Sequence, residues 1–314
     1  MDVDALLDSF DRLRRHERVV IENGGRKLDA KLYLPKGEGP FPGLLFNQGF
    51  VVKAALGVAN FFPRYLTHLG MAVLVPLYDG LLGHRVITHD PNDAVAAFEY
   101  LRSREDIIPG RVGMLGLSYG GLLSLVAAED SRISRQVRYV VSVGAPTDMR
   151  SLMMFCLCDR RASKWSCRLM ETSLRKGLAD EMGHAAGEEL AALRDDERIL
   201  AEMFGCADAS RVDGLIAGLG QRSQEMFDLF SPTQRASDLR ARVLHLHGRD
   251  DNYVPFFQAE MMHQAILAAG GKSELLPVEG LGHVIFVSDL RAFVKYARTD
   301  GRSMLNEIHE FMRR

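Results

Sequence analysis

The chain has only four cysteines and one tryptophan in 314 residues, a net charge of just −2, and no uninterrupted run of about 18 apolar residues. Cys156, Cys158, Cys167 and Cys206 all fall in one middle stretch, form no CxxC pair and have no histidine at zinc-finger spacing. They therefore read as reduced, packed thiols rather than a disulfide framework or a metal site. Without an excess of basic residues there is no global field to hold nucleic acid or an anionic membrane surface. Without a long apolar run no membrane span is expected. The N-terminal MDVDALLDSFDRLRRHERVV mixes charges of both signs and lacks an apolar stretch followed by small residues. No secretory signal is read there, and the cytoplasm is the expected location.

The most informative stretch that is present runs from Arg111 to Glu129, RVGMLGLSYGGLLSLVAAE. Val112, Met114 and Leu115 form a short apolar run suited to a buried strand, while Leu122, Leu123, Leu125 and Val126 recur at helical spacing. Between them GLSYGG predicts a turn so sharp that the Ser118 hydroxyl stands clear at its tip, with Gly116 and Gly120 as the small neighbours such a turn needs. Ser118 is the candidate nucleophile.

Around this stretch the pattern is that of an α/β protein. A short first helix is expected near Leu6 to Leu13, then two strands, Glu17 to Glu22 and Lys27 to Leu34, joined by the hairpin signal Asn23-Gly24-Gly25. Strands follow at Leu44 to Phe46 and Ala72 to Leu77, with a helix between them closed by Gly70. Asp90 reads as a helix N-cap with Pro91 at the first helical position. After Tyr139 to Val143 the strand pattern pauses, resuming at Val243 to Leu246 and Ser273 to Val278, with a closing helix up to Phe311. Strands alternating with helices predict a mostly parallel sheet with right-handed crossovers and an antiparallel start.

A serine hydroxyl needs a general base, itself oriented by a carboxylate. HGRDDNYVP follows the strand at Val243, and EGLGHVIF follows the strand at Ser273. In a parallel sheet the carboxyl ends of the strands share one edge, so an aspartate of HGRDD and His283 are expected to converge on Ser118. His245 lies inside a strand pattern and His247 shapes the turn beneath the aspartate loop. His84 is a candidate to border the site, though a solvated loop histidine is the plainer interpretation. For the oxyanion, the backbone N–H groups of Tyr119 and of Phe50, in the loop Gln48-Gly49-Phe50, are the candidate donors.

GLSYGG, HGRDDNYVP and GLGH in this order resemble the α/β-hydrolase superfamily. The likeness is greatest to dienelactone-hydrolase-like enzymes and the catalytic domains of prolyl-oligopeptidase-type peptidases. The resemblance implies an α/β-hydrolase fold with flanking helices and a Ser118, Asp251, His283 triad. Gln48-Gly49 stands where many relatives carry His-Gly, and serine stands where dienelactone hydrolases proper use cysteine. If Asp251 were not the acid, Asp250 or Asp148 would be the alternatives.

Residues 147–235 carry helical periodicity and, by position, resemble the cap inserted in superfamily members, leaving 1–146 and 236–314 as the hydrolase core. Seven of the 14 methionines fall there, among them Met149, Met153, Met154 and Met170, beside Phe155 and Trp165. They suit either an adaptable apolar pocket or plain helix core. Arg160, Arg161, Lys164 and Arg168 form a local basic run, read first as a solvated face. The expected function is a serine hydrolase cleaving small carboxylic esters through an acyl-enzyme, with no cofactor or metal. Peptidase, thioesterase or acyltransferase chemistry on the same residues is the alternative, and a non-catalytic binding protein on this scaffold the alternative of another class. A monomer and a homodimer are both compatible with the sequence.

Overall fold

A computed structural model describes residues 16–50, 56–283 and 301–314. The first helix expected near Leu6 to Leu13 lies outside them. Among the described residues eight strands form one sheet in the order β1-β2-β4-β3-β5-β6-β7-β8. β1 (Glu17–Asn23) and β2 (Arg26–Tyr33) form an antiparallel hairpin, and β2 also runs antiparallel to β4 (Ala72–Pro76). β3 (Phe41–Asn47), β5 (Ile107–Leu117), β6 (Tyr139–Val143), β7 (Arg242–Gly248) and β8 (Ser273–Val278) continue from β4 in parallel. Gly24 and Gly25, both at positive φ (56° and 85°), make the tight hairpin turn that a side chain would strain.

Because helices cover both faces, the central strands are apolar on both. Leu45 and Met114 point into one layer, packed on α3 (Asp90–Ser103) and α4 (Tyr119–Glu129). Their neighbours Leu44, Phe46 and Leu115 point into the other, with Phe62 and Leu66 of α1 (Leu56–His68) and Phe311 of the last helix, Gly301–Arg313. A short helix, α2 (Asp79–Gly83), which sequence periodicity did not reveal, follows β4.

Five helices occupy the middle segment: α5 (Met149–Cys158), α6 (Lys164–His184), α7 (Gly187–Phe204), α8 (Ala209–Ala217) and α9 (Gln221–Leu229), followed by a 3-10 turn at Pro232–Asp238. Leu174, Leu178, Leu200, Met203 and Phe227 join the same apolar layer as α3 and α4. α6 lies over the loop after α2. The Val86 N–H donates to the Ser173 carbonyl at 3.2 Å, Arg85 pairs with Asp180 at 2.8 Å, and Gly177 sits so close to Val86 that a Cβ would come within 2.1 Å of its carbonyl oxygen. Met153, one of the methionines considered for a pocket, is fully buried in the core. Met154 instead lines a cleft of about 730 Å³ with Phe155, Cys158 and Phe257.

The end of α4 holds a titratable charge away from water. Glu129 has a side chain only 4 % exposed, pairs with Arg235 at 3.1 Å, and leaves Oε1 without a hydrogen-bond partner among the described residues. Burial outweighs the arginine and pushes its pKa from 4.5 up to about 8. The folded chain therefore holds this proton where the unfolded chain has released it, so stability declines as pH rises through the interval from about 4.5 to about 8. Across that window the stability of Glu129→Gln relative to wild type is expected to rise progressively, by on the order of 5 kcal/mol in all. Denaturant melts from pH 5 to pH 9 check this; a difference independent of pH would show that no buried charge forms.

Candidate active site

Strand β5 and helix α4 meet at Ser118 through a turn that only small residues allow. A Cβ on Gly116 would come within 2.1 Å of the Gly120 carbonyl oxygen, and one on Gly120 within 2.1 Å of that of Asn47. Ser118 itself takes φ 51° and ψ −120°, a conformation that costs a non-glycine residue about 1–3 kcal/mol. It is held by its N–H donating to the Val143 carbonyl at 2.8 Å, and by its own carbonyl accepting from Gly121 and Leu122 at 2.8 and 3.1 Å.

The loops after β7 and β8 bring two further groups to the same edge. The Ser118 hydroxyl lies 2.9 Å from His283 Nε2, and His283 Nδ1 lies 2.7 Å from Asp251 Oδ2. A carboxylate only accepts, so Nδ1 carries the proton and Nε2 of the neutral ring is free to accept from the serine. Asp251 is 5 % exposed, and its Oδ1 accepts from the N–H groups of Tyr253 and Val254, both at 2.9 Å. Burial alone would raise its pKa. The electrostatic attraction of the His283 imidazole and hydrogen bonds from His247 and His283 outweigh it and hold the carboxyl well below the usual carboxylate range. Asp250, its neighbour, is exposed. Asp148, the other alternative acid, caps α5 by accepting from the Ser151 N–H at 2.8 Å.

His247 supports the acid more directly than a turn-shaping role suggests. Its Nε2 lies 2.8 Å from the Val254 carbonyl and 3.4 Å from Asp251 Oδ2, so Nε2 bears the proton and shares it between both acceptors. His245 is buried in β7, and burial drives its pKa down to about 3, which keeps it neutral.

Phe50 and Tyr119 are also brought together. A Cβ on Gly49 would come within 2.7 Å of the Leu117 carbonyl oxygen and 3.1 Å of Ser118 Cβ, so the Gln48-Gly49-Phe50 loop lies directly against the nucleophile turn. The rings of Phe50 and Tyr119 stack at 4.6 Å and 15°, and His84 borders Phe50 with ring centroids 5.7 Å apart. The Tyr119 N–H is in the first turn of α4, where no intrahelical acceptor exists.

Beneath this turn lies a polar layer that sequence periodicity did not reveal. The structure corrects the reading of Asp90 as a side-chain N-cap. His89 holds the cap position, and the Asp90 carboxyl turns inward to accept from the Gly80 N–H at 3.4 Å and the Tyr119 hydroxyl at 3.2 Å. Burial pushes the Asp90 pKa up to about 7, against those two hydrogen bonds. Nearby, the Tyr78 hydroxyl donates to Asn47 Oδ1 at 2.6 Å, and Asn47 donates to Ser124 at 2.8 Å. His89, Asp90 and Asp93 each offer a donor atom within 4.8 Å of the others, the one such group among the described residues. Asp93 is committed to Arg26 and Asn23, and Asp90 to Gly80 and Tyr119, so the group reads as structural.

The sheet order and the strand-turn-helix at Ser118 are those of the α/β-hydrolase fold. Within that class it belongs to the X-Pro dipeptidyl-peptidase (S15) family, whose model matches residues 24–280. It is 28 % identical over 195 residues to the 2-hydroxy-6-oxo-2,4-heptadienoate hydrolase of Pseudomonas putida, a match covering 59 % of this chain and 61 % of that one. In fold it is similar to a thermophilic esterase of Thermogutta terrifontis (TM-score 0.58, 19 % identity, 97 % of this chain and 96 % of that one). The acylaminoacyl peptidase of Pyrococcus horikoshii is also similar (TM-score 0.56, 15 % identity), covering 95 % of this chain and 43 % of that one. The chain thus spans about three-fifths of the curated relative and less than half of the peptidase.

Proposed function

We propose that this chain is a serine hydrolase that cleaves carboxylic esters through an acyl-enzyme on Ser118. The observation that carries the reading is the unbroken hydrogen-bond chain from Ser118 Oγ through His283 to the buried Asp251. In this mechanism His283 Nε2 takes the hydroxyl proton as Oγ attacks the carbonyl carbon, Asp251 stabilises the imidazolium, and the same proton passes to the departing alcohol. Water, activated by the same imidazole, then attacks the acyl-enzyme and releases the acid. The N–H groups of Tyr119 and Phe50 would receive the oxyanion. Helices α5 to α9 would serve as a cap, a role favoured by the contacts of α6 with the loop after α2 and by its approach to the Asp251 loop.

Peptide bond cleavage by the same residues is the second reading, favoured by membership of a family named for a dipeptidyl peptidase. A fluorophosphonate is expected to label wild type stoichiometrically at Ser118. Turnover of p-nitrophenyl acetate, butyrate and octanoate should then exceed that of Ala-Pro-p-nitroanilide by at least about a hundredfold in kcat/KM. The opposite ranking would make the chain a peptidase, and a folded protein that takes no label would remove both readings.

A further inference from the structure

The side of the site next to His283 is aromatic and open. The Tyr253 ring lies 5.2 Å from the imidazole, centroid to centroid, and the Trp165 indole lies 5.5 Å beyond it, with interplanar angles of 38° and 32°. Both rings are anchored through the backbone. The Tyr253 N–H donates to Asp251 Oδ1 at 2.9 Å, which ties the ring to the acid that orients His283. The Ser163 N–H donates to the Asn252 carbonyl at 2.8 Å, which ties the start of α6 to the same loop, and the Ser163 side chain caps the helix on which Trp165 stands. Trp165 nevertheless stays 49 % exposed, one of few large apolar side chains among the described residues to do so. A solvent-facing indole, fixed by a helix cap and continued by a second ring toward the imidazole, offers a flat apolar surface at the side of the site.

We infer that Trp165 and Tyr253 form a platform for a flat aromatic group of the substrate, making aryl-bearing esters the preferred class. The inference rests on the serine-hydrolase reading for its chemistry, though not for binding. Aromatic pairs gain from offset stacking beyond the area they bury, so a phenyl ring should be favoured over a cyclohexyl ring of similar bulk. The aromatic group could sit on the alcohol or on the acid half of the ester, and the two are separable by experiment.

Trp165 is the only tryptophan, so its fluorescence reports the platform directly. In full-length Ser118→Ala protein, which would bind esters without turning them over, 4-nitrobenzyl acetate probes an aromatic alcohol half and ethyl 4-nitrophenylacetate an aromatic acid half. At least one should quench saturably. That quenching should be competed by benzyl acetate or ethyl phenylacetate about three- to tenfold better than by the cyclohexyl counterparts. Tyr253→Leu in the same background should weaken binding by a similar factor. In turnover, the wild-type ratio of kcat/KM for benzyl over cyclohexylmethyl acetate, or for the matching acid pair, should fall about three- to tenfold in Trp165→Leu. The alcohols within each pair have similar leaving-group acidity, so the ratio isolates recognition. Linear, non-saturating quenching by both probes, or phenyl and cyclohexyl esters competing equally, would overturn the platform. Saturable aromatic binding in a wild-type protein that hydrolyses no ester would uphold the platform and remove the ester reading instead.

Discussion

Ser118→Ala is expected to lower ester turnover by on the order of 10⁶, to background, while leaving the protein folded. The loss is large because under the proposed mechanism nucleophile and base act as one unit: without the hydroxyl, His283 has no proton to take and no acyl-enzyme can form. The small effect on folding follows from the local geometry. Ser118 is half-buried, the backbone hydrogen bonds that hold it are independent of its side chain, and alanine meets the same strain at φ 51° that serine already bears. Ser118→Gly should be equally inactive and no less stable than Ser118→Ala, because glycine adopts positive φ without strain. Single-turnover kinetics with p-nitrophenyl acetate, together with denaturant melts of both variants, test this. Wild-type turnover in a folded Ser118→Ala protein would remove Ser118 from the chemistry.

Asp251→Asn should reduce kcat by about 10⁴, the loss known for the orienting acid of a well-studied serine protease, whereas Asp250→Asn should reduce it by less than about tenfold. The two residues are adjacent, but neighbouring side chains on an extended loop point apart. Asp251 faces inward, accepts from two backbone N–H groups and from His283, and is held well below the usual carboxylate range, so it stays ionised at neutral pH. Its contribution to stability is present above the carboxylate pKa of the unfolded chain and is lost only in strong acid, as pH falls through the depressed folded value. Asparagine can keep both backbone hydrogen bonds through Oδ1. Its amide, however, presents an N–H to His283 Nδ1, which forces the proton onto Nε2 and leaves nothing to accept from Ser118. The fold should survive and the tautomer should not. Steady-state kinetics of the two purified variants decide between them; a larger loss in Asp250→Asn would move the acid to Asp250, and two mild losses would point back to Asp148.

Most of the fold was legible because its signals are local. The Asn23-Gly24-Gly25 turn, the apolar strand runs and the helical spacing after Ser118 each reflect a conformational preference or a burial period read over a few residues. Asp90 was misread for an instructive reason. An aspartate before proline at a helix start matches the N-cap pattern, yet a carboxyl can bond forward along its own helix or sideways to another element. Only the arrival of Gly80 and Tyr119 made the second choice available. Met153 and Met154 likewise share a sequence environment, and the rotation of α5 against its neighbours sends one into the core and the other to a cleft.

Residue types at short spacing were enough to mark the fold class, because the glycine-flanked turn at Ser118 between a strand run and a helical stretch is a local signal. The tertiary structure decided what lies beneath Tyr119 and which rings flank the imidazole, and it supplied the contacts of His283 with Asp251 and Ser118 that the resemblance only implied. Those contacts join residues as far as 165 positions apart in the chain, at separations of a few ångströms. Such distances depend on how the sheet twists and how the helices pack upon it, and no local pattern of residue types encodes them.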